Sequence, residues 1–155
     1  MRKALLLLAV LGSTSSLWAA DPIIGTWKLN LEKSKLLPND PLNTKEMIET
    51  YRELSGNQIE LTWKNITKDG SSSVTVMTYP IQGGAAKILE GDNSSSLIQT
   101  KIAQNEWIVT YLRDGKQVFS RHKKISKDGK ILRQTLRGID DEGKPYEVLL
   151  VCDKQ

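Results

Sequence analysis

The residues of this sequence best suited to chemistry sit in one run, Arg121-His122-Lys123-Lys124, and at one thiol, Cys152. His122 is the only histidine. A metal site needs several ligands where this run offers one. We read His122 as a solvated surface residue and expect no metal site and no cofactor. Cys152 has no histidine base near it in sequence and reads as a small buried hydrophobe rather than a reactive thiol. Asp140-Asp141-Glu142, ahead of Gly143, lacks the alternating ligand spacing and closing Glu of a calcium loop. It reads as a turn. There is no Gly-rich phosphate loop, Ser/His/Asp order or paired-Cys spacing. An enzyme should show an acid, base or nucleophile in a nameable role. None is legible, so no catalytic residue is assigned.

Binding is the chemistry that remains. Trp27, Trp63, Trp107, Tyr111 and Tyr146 are large enough to line a cavity or to fill a core, and both readings stay open. On a strand, the members of the basic run alternate between faces. That predicts a solvated face and one interior charge rather than a nucleic-acid patch. The whole chain carries a formal charge of +4. Without Arg2 and Lys3 the 22 basic residues become 20 against 18 acidic, a net of +2. That is too balanced for a nucleic-acid arm or a polybasic membrane patch.

The elements that would position these residues are strands. Arg2 and Lys3 precede an apolar run from Ala4 to Leu11, then small polar residues and Leu17-Trp18-Ala19-Ala20. This layout predicts a signal peptide over residues 1–20, cleaved after Ala19 or Ala20. The apolar run is too short for a membrane anchor, so no integral span is expected in the mature chain. A single domain over 21–155 is expected in the periplasm or outside a bacterial cell. A lone Cys allows no internal disulfide, so the fold must rest on its core, for which this length suffices.

Turn signals such as Lys68-Asp69-Gly70, Asp114-Gly115, Asp128-Gly129 and Glu142-Gly143 recur along the mature chain. Between them lie ten β-rich segments: 23–31, 47–54, 58–66, 73–79, 86–89, 97–103, 106–112, 116–126, 130–138 and 146–153. Trp27, Leu29 and Leu31 alternate with Thr26, Lys28 and Asn30, and Ile59, Leu61 and Trp63 alternate with Glu60, Thr62 and Lys64. Such period-2 alternation gives each strand one buried and one wet face. Other strands, 108–112 among them, are apolar on both faces and leave the parity open. Ten hairpin-linked strands leave two sheet edges unless the sheet closes. The expected fold is all-β, an antiparallel up-and-down β-barrel, with a flattened sandwich as the alternative. The longer connections collect at one end. The longest, residues 32–46, carries Leu36-Leu37 as a portal pair able to fold over an opening.

Gly25-Thr26-Trp27-Lys28-Leu29 opens the first strand with Gly-x-Trp, and with the meander behind it the chain resembles the calycins, the lipocalins and fatty-acid-binding proteins. Asp128-Gly129-Lys130-Ile131-Leu132 through Gly138, and the ending Val151-Cys152-Asp153-Lys154, look like the last strands of a fatty-acid-binding protein. The chain is also similar to small exported bacterial barrels that open with Gly-Thr-Trp-Lys-Leu-Asn. The resemblance implies a lipocalin-like barrel holding a small apolar ligand. It also implies a Trp near the closed end, packed by a basic residue. Trp27 matches that Trp, and Arg133 is expected over its ring. Fatty-acid-binding proteins commonly hold a carboxylate with Arg-x-Tyr on the last strand, but the matching positions here are Leu150 and Cys152. Arg121 or Lys123 could take over that task. The expected ligand-binding residues are Trp27, Leu29, Leu61, Trp63, Arg121, Arg133, Tyr146 and Leu150. The alternative is a filled barrel that contacts another envelope protein.

Overall fold

The computed structural model describes residues 20–37, 43–140 and 142–155. Residues 1–19 of the expected signal segment 1–20, with Pro38, Pro41 and Asp141, lie outside them. The described residues form eleven strands and no helix: β1 (Gly25–Leu29), β2 (Thr44–Leu54), β3 (Gln58–Thr67), β4 (Ser72–Pro80), β5 (Gly83–Ala85), β6 (Lys87–Glu90), β7 (Ser96–Ala103), β8 (Glu106–Arg113), β9 (Lys116–Ile125), β10 (Ile131–Ile139) and β11 (Pro145–Lys154). All pair antiparallel in one sheet, ordered β5-β7-β8-β9-β10-β11-β1-β2-β3-β4-β6. The first strand pairs with the last, Leu29 opposite Cys152. No described helix is long and apolar enough to cross a membrane.

The strand expected at 86–89 is instead two short ones, and they nearly close the barrel. β5 pairs with β7, Ala85 opposite Ile98. β6 pairs with β4, Ile88 opposite Met77. One stretch of chain thus crosses the seam and satisfies first one edge and then the other, which removes the edge liability. Gly83 permits the crossing. Its φ is +102°, and a Cβ there would lie 2.7 Å from the Gln99 carbonyl oxygen.

Alternation sets the core. Trp27 and Leu29 on β1, Ile59 and Leu61 on β3, and Val148, Leu150 and Cys152 on β11 are buried. Two expectations about facing are corrected. Leu31 is 46 % exposed, because β1 ends at Leu29 and the chain turns before the alternation can continue. Arg133 points outward, because its neighbours Leu132 and Gln134 take the inner face of β10. The cation over Trp27 is therefore not Arg133 but Lys154, whose Nζ lies 5.0 Å from the ring centroid. Gly25, at φ +130°, makes room for it, since a Cβ there would meet the Lys154 Cε at 2.8 Å. The Gly-x-Trp motif thus has a local physical cause.

Residues ahead of β1 seal this end. Ile23 is buried, and its carbonyl accepts a hydrogen bond of 2.8 Å from Trp27 Nε1. Asp21 accepts from the Ile23 amide at 3.1 Å and pairs with Lys101.

Candidate functional site

The barrel interior holds a buried ionic cluster built from four strands. The inner face of β2 presents Glu49 and Tyr51, β9 presents Arg121 and Lys123, β10 presents Gln134 and β11 presents Cys152. All are at most 3 % exposed. Arg121 Nη1 donates to Glu49 Oε1 at 3.0 Å and lies 3.4 Å from Gln134 Oε1. Tyr51 donates its hydroxyl proton to Glu49 Oε2. Lys123 Nζ lies 2.5 Å from Tyr51 Oη and 3.5 Å from Glu49 Oε2. Gln134 Nε2 reaches the Cys152 sulfur at 3.6 Å. The Arg121 guanidinium lies 5.6 Å from the ring centroids of both Trp63 and Tyr111, a distance at which cation and π-face attract.

Burial alone would raise the Glu49 carboxyl pKa. Lys123 and Arg121, with hydrogen bonds from Tyr51 and Gln134, overcome it and hold the group below its ordinary value. Burial, with Glu49 beside it, holds the Tyr51 phenol well above its ordinary value. Burial pushes the Lys123 ammonium down to about 8, with Glu49 opposing and Arg121 reinforcing. Burial pushes the Cys152 thiol up to about 12. Two cations thus face one carboxylate in a medium where an unbalanced charge is costly. Arg121 Nε and Trp63 Nε1 are buried donors with no hydrogen-bond partner among the described residues. Beside Lys123 lies a cavity of about 10 Å³, walled by Leu61, Met77, Tyr79, Ala86, Leu97, Gln99, Val109 and Tyr111. That is close to the room one water needs.

Of the residues expected to bind a ligand, Trp27, Leu29, Leu61, Arg121 and Leu150 are buried in the interior, and Trp63 and Tyr146 pack half-buried against the core. Arg121 and Trp63 meet in the cluster, whereas Trp27 lies apart with Lys154 at the sealed end. Arg133 is excluded by its outward facing. Leu36 and Leu37 pack half-buried against the core. Their segment is tied to β11 by paired backbone bonds between Lys35 and Leu149, of 2.7 and 3.0 Å. His122 faces outward and meets Glu106 Oε1 at 2.6 Å. The 140–144 segment is a turn, with Asp140 Oδ1 accepting from the amides of Glu142 and Lys144.

Sequence reasoning missed Glu49, Tyr51 and Gln134. The first two were within reach, because Met47, Glu49 and Tyr51 alternate at inward positions. The apolar Ile48 on the other face hid that signal.

The nearly closed antiparallel meander is a fold that this chain shares with solved β-barrel proteins. The chain superposes on fluorescent protein UnaG with a TM-score of 0.60 at 12 % identity, covering 85 % of this chain and 96 % of that one. It superposes on a point mutant of UnaG with a TM-score of 0.61 at 11 % identity, covering 88 % and 99 %. The siderocalin Ex-FABP overlaps at 0.39 with 10 % identity, covering 86 % and 74 %. No protein-family model matches the chain, and no curated protein matches it significantly.

Proposed function

We propose that this protein is an exported binding protein for a small apolar molecule. That molecule carries one oxygen-bearing polar group, held in the barrel against Arg121 and Lys123. The observation that supports this best is the interior mismatch of two buried cations, one carboxylate and unpartnered donors on Arg121 and Trp63. A barrel evolved only for stability has little use for it, since well-packed apolar residues of similar volume serve at least as well. A ligand oxygen would satisfy those donors, and the apolar walls would take the rest of the molecule. The cavity beside Lys123 is too small for such a ligand, so uptake there requires side chains to move. Met77 and Lys123, both long and unbranched, are the wall residues best able to do so. Export rests on the pattern of residues 1–20, and periplasm and exterior fit it equally.

The filled barrel is the second reading. It is favoured by that small cavity and by Ile98, Ile102 and Ile108, exposed side by side on the outer face of β7 and β8.

Titration of the mature protein with anilinonaphthalene sulfonate and with a dansyl-labelled fatty acid separates the two. The binding reading expects a saturable, one-to-one rise in fluorescence. It also expects the double variant Glu49→Gln/Arg121→Gln, which removes one charge of each sign, to bind about tenfold more weakly, the worth of one charged hydrogen bond. No saturable signal from either probe would overturn it in favour of the filled barrel.

A further inference from the structure

We propose that Lys123 captures an aldehyde, its amine condensing inside the barrel with the carbonyl of an apolar aldehyde to give an imine. The inference rests on the interior-binding reading and names the ligand's polar group.

Position and charge carry it. Lys123 borders the interior cavity, whose apolar walls include Leu61, Met77, Leu97 and Val109. Its Nζ lies 2.5 Å from a hydroxyl, Tyr51 Oη, and 3.5 Å from Glu49 Oε2. Glu49 can neutralise one cation, and Arg121 already holds it at 3.0 Å. A guanidinium does not give up its proton in proteins. The surplus proton of the cluster can therefore leave only from Lys123, and its departure leaves the buried site neutral. The titratable groups around the amine are Glu49 and Tyr51 on β2, Tyr79 on β4, Tyr111 on β8, Arg121 on β9 and Cys152 on β11. A lysine desolvated beside another cation is an activated nucleophile. The lowering of its ammonium to about 8 agrees. It gives on the order of 10²-fold more neutral amine at neutral pH than an exposed lysine has.

The reaction balances without an oxidant or reductant. The nitrogen lone pair attacks the carbonyl carbon, forming the C–N bond. The carbonyl π electrons move to oxygen, which takes the Tyr51 hydroxyl proton, and Tyr51 recovers a proton from the nitrogen. The C–O bond then breaks, and the oxygen leaves as water with a second proton relayed through Tyr51 from nitrogen. Amine and aldehyde become imine and water. The raised Tyr51 phenol stays a proton donor throughout.

The test is to incubate the mature protein with equimolar decanal and sodium cyanoborohydride, then measure intact mass and map the modified peptides. The expected result is one decyl group per chain, on Lys123, with each exposed lysine marked about tenfold less or below. Lys123→Arg, if it melts cooperatively, should lose the mark at position 123 while the exposed lysines keep their low background. Decyl groups spread over exposed lysines with Lys123 unmarked, in a protein that still binds the fatty acid, would overturn aldehyde capture and leave the binding reading standing. No mark on Lys123 and no probe binding would overturn both.

Discussion

Replacing Lys123 with Met removes the surplus cation from the barrel and leaves the Glu49–Arg121 pair in place. In the unfolded chain the ammonium titrates near its ordinary 10.5, and in the folded protein near about 8. Between these values the unfolded state binds more protons, so stability rises with pH. The stability deficit from Lys123 is present in full below about pH 8 and fades as the pH nears 10.5. Over the whole interval it amounts to about 3 kcal/mol, and from about pH 7 to about pH 9.5 to about 2 kcal/mol. Other buried groups work in the opposite sense. Burial raises the Cys152 thiol and the phenols of Tyr51, Tyr79 and Tyr111. Their contribution is present below their ordinary pKa values and lost above them. Removing Lys123 takes away a cation that favours the Cys152 thiolate, so these groups stay protonated in both folded proteins between about pH 7 and about pH 9.5, and the difference between the two isolates Lys123. Urea unfolding at a series of pH values gives each free energy by linear extrapolation. The stability of Lys123→Met relative to wild type should fall by about 2 kcal/mol from pH 7 to pH 9.5. A difference that stays flat across this range would refute the assignment of Lys123 as the unbalanced charge.

Two further outcomes follow from the same geometry. Glu49→Gln strands Arg121 and Lys123 without a counter-charge and should cost about 3–5 kcal/mol in urea unfolding at neutral pH. Adding Arg121→Gln should recover part of that loss, and a single variant within about 0.5 kcal/mol of wild type would show the cluster to be solvated. Gly25→Ala should lower the melting temperature, at a cost of about 1–3 kcal/mol. Its φ of +130° is strained for alanine, and the new Cβ meets Lys154. Adding Lys154→Ala should return only the steric part.

The barrel was written in short-range pattern. Alternation in 26–29 and 59–63 and the Asp-Gly turns specify strands and hairpins from neighbours a few residues apart, and a chain of such hairpins has few ways to hide its edges. The buried fate of Trp27 followed from the same alternation, and that of Cys152 from its residue type. Facing was harder to read. In β9 both faces carry charge, and Arg121, Lys123 and His122 are sorted only by register against β8 and β10, Arg121 opposite Val109 and Leu136. The same dependence misled the reading of Arg133, because a one-residue difference in phase moves a side chain through the sheet. Lys154, the actual partner of Trp27, lies at the far end of the chain from it. The cluster was least legible of all. Glu49 and Arg121 are 72 residues apart, and although the basic run pointed to one interior charge, nothing near it in sequence named Glu49 as the partner. Local periodicity dictated which elements form. Only closure of the sheet decided which charges share an interior, because that pairing depends on distance through the barrel and not along the chain.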